Sequence, residues 1–305
     1  MPDTGIVSVL PSATEIVCAL GLPKHLEGVS HECDYPARLA DLPIVNNTAI
    51  PKGLDSKAID EKVRELLQTD AALYHLNVDA LLVLKQTYIV TQGLCDVCAV
   101  SAAEVEDVAF NLLGNGQVVN LEPMSLQKVL DTFTLLGSIT QPRSEAVSAV
   151  QALQARVDII SQRSAAIADK GKPRVAMLEW IDPLFSAGHW TPELVAIAGG
   201  MDCLANPRCV FSTTRCMRPS LICYSSPHVV LTYHALNNTC PVGLICPVFE
   251  TGESTIQKAM PISVGQGRVS SRLVEGLEVL AHALHPDVHP ISVRGEVAKT
   301  WQNSS

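Results

Sequence analysis

Apolar runs and helically spaced apolar positions alternate along the N-terminal half of the chain. Residues 5–10 form an apolar, β-branched-rich run that is typical of a buried parallel strand. Ser12 and Glu15 have the spacing of a capping box, which predicts a helix that ends at Gly21 with positive φ. Residues 26–30 read as a second short strand. Strand, helix and strand in this order indicate a βα unit of an α/β sheet.

The same alternation continues to the middle of the chain. Helices are predicted at residues 56–68, 77–86, 102–113 and 126–136, and strands at residues 87–92 and 118–122. A longer helical pattern then covers residues 143–169, with Val147, Val150, Leu153, Val157 and Ile160 three or four residues apart. A helix of about 25 residues is about 38 Å long at its usual rise per residue, so it fits a rigid strut between two lobes.

A second lobe is predicted to follow this helix. Its pattern gives a strand at residues 174–180, a loop, a helix from Thr191 as N-cap to Ala198, a strand within residues 227–236 and an amphipathic helix within residues 270–286. The amino-acid composition changes between Cys203 and Phe249. This stretch has no Asp, Glu or Lys but holds six of the ten cysteines.

Composition and charge narrow the function classes. With 305 residues the chain exceeds one compact core, which agrees with two lobes. The net charge of −9 and the lack of basic runs argue against nucleic acid and anionic membranes as partners. The N-terminus, as written, has no signal-peptide pattern and no run has the length of a membrane span, which predicts a cytoplasmic protein, or a periplasmic or extracellular one only if the N-terminus is truncated. Ten cysteines then read as reduced thiols or ligands.

Five motifs in register are specific enough to indicate a family. The chain resembles the cobalamin-type substrate-binding proteins of ABC importers at five segments. In order along the chain these are VSVLPSATEIVCALGL, GVSHECDYP, IVTQGLCDVCAVS, LEWIDPLFSAGHWTPELVAIAGG and RLVEGLEVLAHALHP. These belong to the helical-backbone periplasmic-binding superfamily, which also holds siderophore, haem and metal-ion receptors. The resemblance covers residues 5–200 and 268–286.

The resemblance implies an α/β fold of two Rossmann-like lobes joined by a single long helix, with a ligand cleft between the lobes. The lobes would be residues 5–138 and 172–288, the connecting helix residues 139–171, and residues 203–267 an atypical segment. The ligand would be cobalamin or a related corrinoid, the partner an ABC permease, and the protein would not be an enzyme.

The motif positions also imply which residues line the ligand site. The loops concerned are residues 11–14, 31–35, 92–98 and 180–190, and a large planar corrin suits aromatic walls. The predicted ligand-binding residues are Ser12, Thr14, His31, Asp34, Tyr35, Gln92, Asp96, Trp180, Asp182, Phe185, His189 and Trp190.

The most specific alternative is a metal site. Two loops at the same predicted edge of one lobe carry His31, Cys33, Cys95 and Cys98. An imidazole together with thiolates is a common ligand set for zinc. They would make the chain a cytosolic zinc protein or a metal-dependent enzyme on the same scaffold. The opposing interpretation is that these are reduced thiols that shape the loops.

Several side chains keep two interpretations. His31 either approaches the cobalt of a corrinoid as an axial ligand or is satisfied by Asp34 or a backbone carbonyl. Glu15 is either a helix cap or an acid that docks on a permease. Trp180 and Trp190 are either ligand contacts or core.

Residues 203–267 depart from the family pattern. This stretch lacks the tryptophan-containing helix, the PCG-like turn and the SRPGPR-like segment that the resemblance implies. A degenerate relative that binds no ligand is therefore a third interpretation, and Cys209, Cys216 and Cys223, seven residues apart, are read as chance because no histidine or acid is interleaved among them.

Overall fold

The fold is described from a computed structural model. It describes residues 4–39, 41–69, 71–84, 86–93, 100, 102–112, 117–140, 143–181, 184–202, 228–232, 258–261 and 270–290. Two compact units divide the chain: unit 1 contains residues 1–54, 58–153 and 269–271, and unit 2 contains residues 55–57, 154–268 and 272–305.

Unit 1 is built on a four-stranded parallel sheet with the strand order β2-β1-β5-β6. Its strands are β1 (Gly5–Ser8), β2 (Leu26–Val29), β5 (Gln86–Thr91) and β6 (Gln117–Asn120), and β3 (Asn46–Thr48) pairs antiparallel with β4 (Tyr74–Leu76). Its helices are α1 (Pro11–Ala19), α2 (Ser56–Gln68), α3 (Val78–Val83), α4 (Ala102–Leu112), α5 (Leu126–Thr140) and the start of α6 (Arg143–Ala165).

The core of unit 1 lies between this sheet and its helices. Ile6 and Ile89 on neighbouring strands, Ile16 on α1, and Phe133 and Leu136 on α5 are all fully buried. The β-branched residues suit the extended strands, and the leucine and phenylalanine face inward at helical spacing. Burying one such side chain contributes about 1.5–3 kcal/mol, so this layer holds the strands in register.

Unit 2 has a second sheet, in the order β11-β10-β7-β8, with β9 paired to β7. Its elements are β7 (Arg174–Ile181), β8 (Leu184–Ser186), α7 (Thr191–Ile197), β9 (Met201–Asp202), β10 (His228–Thr232), β11 (Lys258–Pro261) and α8 (Ser271–Leu284). Only β8 runs antiparallel to its neighbour among the described strands of this sheet. The prediction of an α/β fold with two lobes is confirmed.

The helix α6 confirms the long helix expected from the sequence. It has 23 residues, and its residues up to Leu153 fall in unit 1 while those from Gln154 fall in unit 2. Val157 and Ile160 are buried as predicted, whereas Val147 is 48% exposed because the buried stripe begins at Ala146 instead. In the described part of the chain no helix is long and apolar enough to cross a membrane.

Two helix starts differ from the prediction. Helix α1 begins at Pro11 with Leu10 as N-cap, and α7 begins at Thr191 with Trp190 as N-cap, and in the described residues no side chain caps either. The predicted capping box and the Thr191 cap are therefore wrong. Proline is pre-organised for the first turn and needs no backbone N–H there, so Pro11 can start the helix without a side-chain cap. The positive φ of Gly21, +75°, is as predicted.

The segment after β7 also differs from the prediction. A single loop was expected after residue 180, but β7 continues to Ile181 and β8 returns antiparallel to it, with Trp180 opposite Phe185. Of the atypical segment 203–267, only the strands β10 and β11 lie within the described residues, and β10 pairs in parallel with β7.

Candidate ligand site at the carboxyl edge of the first sheet

Three parallel strands of unit 1 end side by side, at what we call the carboxyl edge. Ser8 at the end of β1 is the register partner of Val29 on β2 and of Val90 on β5. The loops that leave these strands therefore start next to each other. Ligands of open α/β sheets bind outside the carboxyl ends of the strands. The motifs SHECDYP and IVTQG thus meet at the edge where a ligand site is expected.

Asn46 fixes the position of His31 at this edge. The amide Nδ2 of Asn46 donates to the carbonyl oxygen of Val9 at 3.0 Å. Its Oδ1 accepts from the backbone N–H of His31 at 3.0 Å and lies 3.0 Å from Nδ1 of the same residue. The Asn46 side chain therefore satisfies Nδ1 and the backbone N–H of His31, where the sequence suggested Asp34 or a backbone carbonyl.

The far side of the His31 ring is bordered by an acid and an aromatic ring. Oε1 of Glu32 lies 3.9 Å from Nε2, which is longer than a hydrogen bond. The ring of Tyr74, which is buried, is tilted by 42° to the imidazole at a centroid distance of 6.1 Å. Nε2 itself is buried and has no hydrogen-bond partner among the described residues.

A second polar network anchors the same loop to the first helix. Ser8 Oγ donates to the carbonyl oxygen of Leu10 at 2.7 Å, and Thr14 Oγ1 donates to Ser8 Oγ at 2.8 Å. Thr14 Oγ1 also lies 3.2 Å from Sγ of Cys33. Ser8 and Thr14 are fully buried, so Thr14 holds the loop at Cys33 from the protein interior.

The other predicted residues of this edge differ in accessibility. Tyr35 is 55% exposed, Asp34 is exposed and Gln92 is half-buried, while Ser12 is buried in α1. Among these, Tyr35 and Asp34 can meet a ligand from solvent without any rearrangement. Asp96 lies outside the described residues.

In unit 2 the predicted contact residues are carried by the β7–β8 hairpin and the start of α7. The backbones of Trp180 and Phe185 pair across the hairpin, and Asp182 lies outside the described residues. Trp190 is 8% exposed and its ring lies 5.5 Å from that of His189. As the burial of Trp190 suits a core residue, its role and those of Trp180, Phe185 and His189 in ligand binding stay predictions.

His189 has an unusual backbone and a perturbed side chain. Its φ of 53° lies in the left-handed region, which is uncommon for a residue other than glycine. Burial lowers the pKa of its imidazole, so the neutral form is favoured. Backbone strain of this kind clusters at functional sites, which makes His189 the predicted unit 2 residue with the most specific local signal.

The metal alternative gains no support from the described residues. Within them no group of three or more His, Cys, Asp or Glu side chains is arranged to hold a metal ion. Cys33 contacts Thr14 instead, while Cys95 and Cys98 lie outside the described residues. The zinc set therefore stays a prediction.

Two residues were misjudged or missed. Glu15 is 4% exposed, and its Oε2 accepts a hydrogen bond from Ser270 Oγ at 2.6 Å. It is thus neither a cap nor an exposed docking acid. Asn46 was not predicted at all, although a buried amide that bridges Val9 and His31 organises the loop. A polar residue directly after the apolar run PIV was the only sequence signal for it.

Solved structures of similar fold exist for nearly the whole chain. The periplasmic vitamin B12 binding protein BtuF of Vibrio cholerae matches with a TM-score of 0.65 and 18% identity, over 92% of this chain and 95% of its own. The periplasmic haem-binding protein RhuT of Roseiflexus sp. RS-1 matches with a TM-score of 0.66 and 17% identity, over 93% and 99%. A periplasmic haem-binding protein of Pseudomonas aeruginosa matches with a TM-score of 0.62 and 17% identity, over 98% and 99%.

Sequence comparisons give no match: no protein-family model and no curated protein matches the chain. The structural matches nevertheless overturn one prediction. The cytoplasmic location is wrong, because these proteins of the same fold are periplasmic. The chain has the two-lobed α/β fold of periplasmic solute-binding proteins.

Proposed function

We propose that the protein is a solute-binding protein that holds a corrinoid, cobalamin or a relative of it, for import by an ABC permease. It would act outside the cytoplasm and catalyse no reaction. The observation that carries the proposal is that the segments resembling the cobalamin type, SHECDYP and IVTQG, lie at the ends of β2 and β5, the two strands that flank β1 at the carboxyl edge of unit 1. A single solute surface would therefore be formed from both.

Two further features support a large, partly apolar ligand. Tyr35 presents an aromatic ring to solvent at this edge, and a planar macrocycle can stack on such a ring. The loop that carries it is anchored by Asn46 and Thr14, so it is held in place before a ligand arrives. Pre-organisation of this kind reduces the ordering cost of binding.

The fold does not discriminate a corrinoid from haem, because proteins of both kinds match with nearly equal TM-scores. The corrinoid is preferred because the quoted motifs resemble the cobalamin type. Haem is therefore the competitor that any binding experiment has to include.

A calorimetric titration of the purified full chain with cobalamin and cobinamide tests the proposal. One-site binding of either corrinoid, with haem bound more weakly, is expected. Tyr35→Ala should weaken corrinoid binding by up to about tenfold, since an aromatic contact contributes about 0.5–1.5 kcal/mol. Phe110→Ala is the matched control, because Phe110 is an 84% exposed aromatic residue on α4 of the same unit. Tighter binding of haem than of both corrinoids would overturn the proposal.

A further inference from the structure

A short turn that follows α8 in unit 2 carries two histidines. We call residues 285–290 the α8 turn. The backbone N–H groups of Val288 and His289 both donate to the carbonyl oxygen of His285, at 3.1 and 2.9 Å. The side chain of His289 is folded inward, and the residue is only 3% exposed. The turn is therefore held partly by its own backbone and partly by a buried imidazole.

Two side-chain hydrogen bonds at the α8 turn are compatible with a charged histidine. Nδ1 of His282 lies 2.8 Å from the carbonyl oxygen of His289, and Nε2 of His285 lies 3.0 Å from the neutral carbonyl oxygen of Gly199 at the end of α7. A carbonyl oxygen only accepts, so each of these nitrogens carries a proton and donates. Both bonds persist when the second nitrogen of the ring also takes up a proton.

The imidazole of His289 is in a different situation. Its Nε2 lies 3.1 Å from Oγ of Ser164 on α6, and a serine hydroxyl can either donate or accept. Its Nδ1 is buried and has no hydrogen-bond partner among the described residues. A protonated imidazole has an N–H on both nitrogens, so charging His289 in place would bury a charged donor without an acceptor. The closed turn therefore accepts only the neutral form of this residue.

The charges around His289 also oppose its protonation. Burial lowers the pKa of its imidazole, and three neighbouring basic groups act in the same direction. In decreasing order of effect these are His285, Arg163 on α6 and His282 on α8. The acid of the α8 turn, Asp287, is exposed, so water screens its charge.

We propose that the α8 turn is a pH-sensitive clasp, which is closed on α6 while His289 is neutral and opens when His289 is protonated. Opening brings the imidazole into solvent, where both N–H groups bind water, and breaks its contact with Ser164. The proton comes from solvent, and no covalent bond changes. This inference goes beyond the proposed function and does not depend on it.

The direction of the pH dependence follows from the buried neutral histidine. The open turn takes up the proton near the ordinary histidine pKa of about 6.5, and the closed turn takes it up only at lower pH. The clasp is therefore closed above about pH 6.5 and opens progressively as the pH falls below it. Helix α8 should stay folded, because Leu277 and Leu280 are buried and Arg156 pairs with Glu278.

Amide hydrogen exchange of the full chain at pH 7.5 and 5.5 tests the clasp. The reporters are the amides of Val288 and His289, whose hydrogen bonds to His285 are lost on opening. After correction for the intrinsic pH dependence of exchange, their protection should fall about three- to tenfold at pH 5.5, since one pH unit below 6.5 shifts the ratio of open to closed turn by at most about tenfold. The amides of Leu277 and Leu280 should keep their protection.

Two variants assign the effect to one residue. His289→Gln has no titrating group at this position, so the protection of the Val288 amide should be the same at both pH values. His75→Gln is the matched control, because His75 is an exposed histidine of unit 1, and it should behave like the wild type. Circular dichroism of each variant reports on its fold.

A titration of the wild-type histidine rings by nuclear magnetic resonance gives a test that needs no variant. The imidazole of His289 should become protonated over the same pH range in which the reporter amides lose protection. Unchanged protection at pH 5.5, an equal loss in His289→Gln, or protonation of His289 with protection intact would each overturn the clasp. None of these results bears on corrinoid binding, so the proposed function is tested separately.

Discussion

Replacing Asn46 by alanine is expected to destabilise unit 1 although the change removes only a small side chain. The Asn46 side chain is 2% exposed and takes part in three hydrogen bonds of 3.0 Å, one with Val9 and two with His31. Each such bond contributes a net of about 0.5–1.5 kcal/mol, and the groups left behind lose their partner in a largely dry environment. Because His31 is partly exposed, water can replace some of the loss. We expect a decrease in the free energy of unfolding of about 2–3 kcal/mol.

Thermal unfolding followed by circular dichroism measures this change. For a unit of this size, 1 kcal/mol corresponds to about 2–4 °C in Tm, so Asn46→Ala should lower the Tm of its transition by about 4–12 °C. The matched control is Asn47→Ala on the same strand, where the side chain is exposed and a change below about 0.5 kcal/mol is expected. Equal effects of the two substitutions would refute the role given to Asn46.

Three predictions concern unit 2. Burial, and after it the neighbouring basic groups, lower the pKa of His289, so the unfolded chain takes up a proton at this residue first as the pH falls below about 6.5. The free energy of unfolding therefore decreases from that pH down to the pKa of the folded state. Urea unfolding at pH 7.5 and 5.5 should show a smaller decrease in His289→Gln than in the wild type, and an equal decrease would count against the prediction. Arg156 donates to both carboxylate oxygens of Glu278 at 2.7 Å. A double-mutant cycle with alanine at both positions should give a coupling free energy of about 0.5–1.5 kcal/mol that decreases in high salt, and zero coupling would contradict the prediction. Gly199→Ala should lower the free energy of unfolding in urea by at least about 1 kcal/mol, because φ is +85° and a Cβ would come within 2.9 Å of a neighbouring side chain. Gly171→Ala is the control and should be near neutral, because a Cβ there has its nearest contact at 3.4 Å. Similar decreases in the two variants would refute the prediction.

The elements of the fold were predictable because local patterns determine them. The helix over residues 56–68 has the predicted bounds, and the strands β1, β2, β5 and β7 fall where short apolar runs lie. Spacing also located the long helix α6, although its buried stripe is shifted at Val147. Periodicity fails at short segments such as β8, whose three residues are too few to show a pattern.

The details of the candidate site were less predictable because they depend on residues far apart in sequence. Glu15 bonds to Ser270 over a separation of 255 residues, so its capping-box spacing was misleading. Asn46 reaches Val9 over 37 residues, and no local rule connects the two. Sequence reasoning did place His31 and Tyr35 at the carboxyl edge, since a loop that follows a parallel strand must leave from it.

The most direct test of the proposed function is equilibrium dialysis of the full chain against cobalamin, cobinamide and haem in parallel. Saturable binding of one equivalent of a corrinoid, tighter than that of haem, is the predicted result. Retention of neither corrinoid at concentrations that saturate a solute-binding protein would contradict the proposed function.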